Sequence, residues 1–275
     1  MNVVKPSTDD SFVYSCSFEQ EWGYEQFIAE HVFAYQLSGE THVFHQKGTI
    51  VLRKNEILLA HKNQFAKSLK TPGTDDVYKV ISVILKTEDL KAFAIENRIL
   101  CDKKYKGKYN IVLKPDSFLI SYFNSLLPYT EQSERSTKKL ASLKVNEAIQ
   151  LLMQSYPELN DFLFDFSDPH KINLEEFMLR NFHYNAPIEN FAKLTGRSLA
   201  GFKRDFVKQF NTPPAKWIKN KRLSEAYYLI HQKKSKPADI YLKLGFENLS
   251  HFYTAFKRKY GVTPTESLTS KTNNI

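Results

Sequence analysis

The stretch Pro187–Pro214, PIENFAKLTGRSLAGFKRDFVKQFNTPP, returns 50 residues later as Pro237–Pro264, PADIYLKLGFENLSHFYTAFKRKYGVTP. Laid over each other without a gap, the two share Pro187/Pro237, Lys193/Lys243, Leu194/Leu244, Leu199/Leu249, Phe202/Phe252, Phe206/Phe256 and Pro214/Pro264. Glu189/Asp239, Phe191/Tyr241, Lys208/Arg258 and Phe210/Tyr260 keep charge or shape. Each copy opens on a proline, where a helix loses nothing by lacking an N–H. An apolar run, a glycine and a small polar cap follow, then a second apolar-periodic run. The pattern predicts a helix-turn-helix unit, present twice.

The second helix of each copy has two unlike faces. Leu199, Phe202 and Phe206, and again Leu249, Phe252 and Phe256, recur at the spacing of one helical face and are expected to be core. The opposite face carries Ala200, Gly201, Arg204 and Lys208 in the first copy and Ser250, His251, Thr254 and Arg258 in the second. Small residues near the helix start allow close approach to base edges in a major groove, and the cations beyond them meet phosphate.

Charge follows the repeat. From Lys171 onward there are 19 Lys and Arg against 8 Asp and Glu, whereas residues 1–170 hold 20 against 22, which together give the formal +9 of the chain. A basic half beside a near-neutral one points to a polyanion partner for one part only, and double-stranded DNA is the natural candidate.

Before the repeat, residues from about Phe12 to Leu85 form short apolar bursts broken by turn residues, such as Val32–Leu37 before Ser38-Gly39 and Ile50–Leu52 before Lys54-Asn55. That rhythm predicts an antiparallel β-sandwich or small barrel. Around Gly39 and Gly48 it resembles the cupin-like sugar-binding and dimerising domains of some bacterial regulators. Glu40, His42 and His45, with His31 nearby, suggest a metal, but on a strand Glu40 and His42 share a face that His45 does not. No metal or cofactor is therefore expected. Cys16 and Cys101 have no CxxC spacing, which indicates neither a disulfide framework nor a zinc site. With no signal segment and no membrane-length apolar run, the expected location is the cytoplasm.

After Leu85 the period shifts towards 3.6. Leu90, Phe93, Ala94 and Ile95 mark one helix; Phe118, Leu119, Tyr122, Phe123 and Leu126 a second, ended by Pro128; Leu140, Leu143, Ala148, Leu151 and Leu152 a third, before Pro157. They are expected to cover one face of the β-region, the third helix having pairing with a second subunit as its alternative. The domain boundary is placed near Pro169, giving domains at 1–168 and 169–275. A helix capped by Asn173 should bury Phe177, Leu179 and Phe182. Another, from Pro214 to about His231, should connect the repeats through Trp217, Ile218, Leu223, Ala226 and Ile230. The fold class is α+β.

From Ile172 to Leu268 the chain resembles the AraC/XylS family of bacterial transcription regulators. Gly245-Phe246, Phe252, Phe256, Lys257, Tyr260, Gly261 and Pro264 carry the resemblance in the second unit, and Ser198, Arg204 and Phe206 in the first. It implies base contacts by Ala200, Lys203 and Arg204, and by Leu249, Ser250, His251 and Thr254; Lys203 rests on the resemblance alone. The whole expected DNA surface is Ser198, Ala200, Lys203, Arg204 and Lys208 with Asn248, Leu249, Ser250, His251, Thr254, Lys257 and Arg258. Thr254 stands where the family often has Arg, and Ala200 offers only a methyl, which suits a thymine methyl more than a hydrogen bond. Asn211 replaces the glycine found at Gly261 and tolerates the same left-handed conformation.

The reading is a sequence-specific DNA-binding transcription regulator and not an enzyme, with an N-terminal domain for effector sensing or dimerisation. Its partners would be double-stranded DNA, a small-molecule effector, RNA polymerase and a second copy, but no membrane. The alternative is a cupin-type metal-dependent enzyme, or a DNA repair transferase, fused to the same DNA-binding half. A repair transferase needs an activated thiol, and neither cysteine has the basic or metal-ligand setting that lowers a thiol pKa.

Overall fold

A computed structural model describes residues 3–6, 11–23, 27–45, 48–100, 104–131, 138–167 and 171–269. The chain divides into two compact units, Met1–Asp168 and Pro169–Ile275.

The first unit is built on strands β1 (Val3–Pro6), β2 (Phe12–Ser17), β3 (Glu21–Trp22), β4 (Phe27–Ile28), β5 (His31–Ser38), β6 (Glu40–His45), β7 (Gly48–Leu52), β8 (Ile57–Ala60), β9 (Gln64–Thr71), β10 (Tyr78–Leu85) and β11 (Asn110–Leu113). One sheet runs β1-β2-β10-β5-β8-β11 and the other β3-β9-β6-β7, with β4 on β9; the pairings are antiparallel. Helices α1 (Thr87–Glu96), α2 (Ser117–Glu131), α3 (Lys138–Ser155) and α4 (Asn160–Leu163) complete it.

The two-residue period of the strands divides the first sheet between two cores. Phe33 and Tyr35 of β5, Ile57 and Leu59 of β8, and Ile81 and Val83 of β10 join Leu90, Phe93, Leu119, Phe123, Ile149 and Leu152 of the helices. Their neighbours Ala34, Leu58, Ala60 and Val80 face Val43, Leu52 and Ala66 of the second sheet. Both faces are therefore covered, which is why β8 is buried throughout. As expected, the helices pack over one face of the β-region.

Between the sheets the small residues leave room for polar groups, and these satisfy one another. Thr41 Oγ1 donates to Gln36 Oε1 at 2.7 Å and lies 2.8 Å from the Tyr78 hydroxyl. Lys70 Nζ donates to Ser15 Oγ at 2.8 Å and to Glu21 Oε1 at 3.1 Å. On the other face of β6, turned away from the first sheet, His42 Nε2 lies 3.3 Å from Glu40 Oε2, both side chains partly exposed.

Three details depart from the sequence expectations. Pro128 does not end α2, which runs on to Glu131; near a C-terminus a missing N–H costs one bond of a turn already fraying. Ile95, Phe118, Leu140 and Leu143 are 80%, 70%, 39% and 57% exposed, so they lie off the buried stripes of their helices. A strand, β11, interrupts the helical region and pairs with β8; four residues are too few to display a period. Cys16 is half-buried and free, and Cys101 lies outside the described residues.

The second unit comprises α5 (Leu174–Asn181), α6 (Ile188–Leu194), α7 (Leu199–Phe210), α8 (Pro214–Lys233), α9 (Pro237–Ile240), α10 (Leu249–Tyr260) and α11 (Pro264–Thr269). The Asn173 side chain caps α5 by accepting from the Glu176 N–H at 3.0 Å. Phe177 is buried, but Leu179 is 44% exposed. Among the described residues no helix is long and apolar enough to cross a membrane.

Candidate nucleic-acid interface

Each copy of the repeated sequence folds into a short helix, a turn and a twelve-residue helix, α6–α7 and then α9–α10. The local chemistry is the same in both. Ser198 caps α7, its Oγ accepting the Gly201 N–H at 3.2 Å, and Asn248 caps α10, its Oδ1 accepting the His251 N–H at 2.8 Å. At the far ends Asn211 and Gly261 adopt the left-handed conformation, with φ of 50° and 81°. Asn does here what the sequence reading asked of it.

The buried faces are also alike. Phe202 and Phe206 of α7, and Phe252 and Phe256 of α10, are fully buried. The connector α8 adds one aromatic ring to each stack. Trp217 lies 5.7 Å from Phe206 and 4.9 Å from Phe210, while Tyr227 lies 4.7 Å from Tyr260 and 6.4 Å from Phe256. Its stripe of Ile218, Leu223, Ala226 and Ile230 is buried, as the sequence implied. The helix is 20 residues long, or about 30 Å at 1.5 Å per residue.

With one face committed to each core, the other faces solvent. Ser198, Ala200, Lys203, Arg204 and Lys208 are exposed on the first helix-turn-helix, as are Asn248, Ser250, His251, Thr254, Lys257 and Arg258 on the second. Leu249 is half-buried and packs against the core of its own unit, so it borders the exposed face without belonging to it. Arg204 is 79% exposed, its nearest ion pair a 3.7 Å approach to Asp205. Asp205 is engaged by Lys171 and Arg197, each at 3.1 Å, and these hold its carboxyl below the usual range. Arg204 is thus left to reach outward.

The place of Lys219 was not legible in the sequence. His251, Thr254 and Arg258 form a wall of an open cleft of about 550 Å³, faced by Ala215, Lys219 and Arg222 of α8. Lys219 is an exposed cation at this rim. Only the fold brings it beside α10; the signal available was its position one turn after Lys216 on the connector, which reads equally well as a solvated face.

Two family models match the chain. One, a helix-turn-helix domain, covers residues 191–270, and the other, described as the ExsA N-terminal regulatory domain, covers residues 31–163. The chain is 25% identical over 244 residues to the HTH-type transcriptional regulator ExsA of Pseudomonas aeruginosa, spanning 86% of this chain and 84% of that protein. It is 30% identical over 98 residues to the virulence regulon transcriptional activator VirF of Yersinia enterocolitica, a match confined to 36% of each. A solved structure of ToxT from Vibrio cholerae aligns with 94% of this chain and 98% of its own at 15% identity, with a TM-score of 0.44.

Proposed function

We propose a mode of DNA reading for this chain, which belongs to the AraC/XylS family of transcription regulators and is a DNA-binding regulator with an N-terminal regulatory domain. In this reading α7 and α10 enter two successive major grooves on one side of the duplex. Arg204 reads a guanine edge, Ser250, His251 and Thr254 read the second box, and the Ala200 methyl meets an apolar base edge. Lys203 and the caps Ser198 and Asn248 lie at the helix starts, next to the same groove, and Leu249 lines its margin. Lys208, Lys257, Arg258 and Lys219 take phosphate, which makes affinity fall with salt.

The observation that carries the reading is the repetition of one geometry: two capped helices of equal length, each with its aromatic face buried on α8 and its small and basic face exposed. A single reading unit would not need the second.

The N-terminal unit would sense an effector or pair two copies of the chain, the exposed Leu140 and Leu143 of α3 offering an apolar face for the second use. RNA polymerase is the further partner of this reading, the cytoplasm its setting, and binding without catalysis its mode of action. Selection of bound fragments from a random DNA pool by the full chain tests it. Two short boxes about one helical turn apart are expected; a single box, or no preferred sequence, would refute the reading.

A further inference from the structure

A single side chain ties the two reading units together. Arg222 stands near the middle of α8, and its Nε donates to the Phe182 carbonyl at 2.7 Å while Nη2 donates to that of Tyr184 at 2.8 Å. Both acceptors lie in the segment that leads from α5 into the first unit. Nη1 donates at 2.8 Å to the carbonyl of Gly245, in the turn between α9 and α10 of the second unit. One planar fork thus holds backbone from both units. These bonds are charge-assisted and therefore stronger than neutral ones. Burial lowers the guanidinium pKa to about 10, with Glu247 opposing, so the group remains charged at neutral pH.

The seam around it is tight. Gly245 has a φ of +86°, and a Cβ there would stand 2.4 Å from the His183 carbonyl oxygen and 2.8 Å from Arg222 Cζ. Only glycine meets both demands. Across the same seam Asn185 Nδ2 donates to Glu247 Oε1 at 3.1 Å. Asn185 lies just before α6 and Glu247 just before α10, so this bond also joins the two units.

We infer that Arg222 is a positioning residue for DNA reading: its three carbonyl bonds fix the second helix-turn-helix against the first and thereby set the box spacing the chain accepts. Continuity of α8 fixes the distance between its ends. It does not by itself fix how α9 and α10 are turned about the helix axis, and a groove reader needs both. Lysine keeps the charge at this position, but its point-like ammonium lacks the rigid fork that bridges three carbonyls. The inference rests on the two-groove reading, because only a chain that engages both boxes at once is sensitive to their spacing.

The test uses the full chain with Cys16→Ser and Cys101→Ser, spin-labelled through Lys208→Cys and Lys257→Cys, with and without Arg222→Lys. Without DNA, the label-to-label distance distribution should be narrow with Arg222 and broad with lysine. In unlabelled protein, Arg222→Lys should weaken binding to the preferred two-box DNA by about tenfold or more, with about twofold or less change on one box. It should also shrink the penalty for adding or removing one base pair between the boxes. A distribution that stays narrow, or equal losses on one-box and two-box DNA, overturns the inference. If the parent chain itself shows no spacing preference, the two-groove reading fails first, and the positioning role falls with it even where the distances broaden. Should Arg222→Lys lose its cooperative melt, Glu247→Ala decides: reduced spacing discrimination supports the bracing, and unchanged discrimination overturns it.

Discussion

Asn248 and His251 hold each other at the start of α10. Asn248 Oδ1 accepts the His251 backbone N–H at 2.8 Å, and Asn248 Nδ2 lies 3.3 Å from His251 Nδ1. Because the amide oxygen is taken by the cap, the atom facing the ring is the donor NH₂, and Nδ1 must accept. The neutral imidazole then carries its proton on Nε2, pointing away from the cap as a donor. Such a donor suits guanine O6 or N7, or thymine O4.

His251→Ala should therefore relax base preference at one position of the second box and leave the melting temperature nearly unchanged. Asn248→Ala should do more, costing about 1 kcal/mol of stability through the lost cap and also freeing the ring. Base-preference profiles and thermal melts of both variants check this. A His251→Ala protein that lost affinity equally on all sequences would make the ring a phosphate contact.

Arg204 and Lys208 share a face of α7 but are assigned different work. Arg204→Ala should cost about 1–3 kcal/mol on the preferred site and little on DNA lacking the guanine, as for a bidentate base contact, while Lys208→Ala should weaken all sequences alike and flatten the salt slope by about one unit. Titrations on matched and mismatched duplexes at several salt concentrations separate the two. Uniform loss from Arg204→Ala would move it to the phosphate class.

The N-terminal unit, Met1–Asp168, should lose stability in mild acid. Burial holds the His31 ring well below the usual histidine range, with His61 and Lys62 adding to the shift, and burial also lowers His61. The rings lie 4.5 Å apart at 83°, and both Nε2 atoms are buried without a hydrogen-bond partner among the described residues. The unfolded chain binds these protons near pH 6.5 and the folded chain does not. Stability is therefore full above that pH and falls below it by up to about 1.4 kcal/mol per pH unit for each ring, until the lowered native pKa is reached. Urea unfolding at pH 7.5 and 5.5 measures the loss, and His31→Phe should reduce it. An identical loss in that variant would place the acid sensitivity elsewhere.

The second unit was largely legible because a repeat checks itself. Any helix assigned to one copy must suit the other, and the aromatic faces, the caps and the left-handed Asn211 all emerged from that comparison. In the first unit the strand rhythm told the class, yet Ile95, Phe118 and the end of α2 were misjudged. A lone apolar residue at helical spacing does not reveal whether anything covers it. Arg222 was illegible for a different reason. Among Lys219, Lys221 and the other cations of α8 it reads as one more solvated charge, and only the fold brings the three carbonyls to it.

The central claim is that one molecule reads two boxes with two rigidly joined helices. It is tested most directly by measuring the affinity of the full chain for its preferred DNA with about five or about ten base pairs inserted between the boxes. Five pairs turn the second box to the opposite side, and ten restore the side but add about 34 Å, more than a connector of about 30 Å absorbs. The account predicts that both insertions reduce binding to the level of a single box. Full affinity on the ten-pair insertion would contradict it, since the boxes would then be read through a flexible connector or by separate molecules.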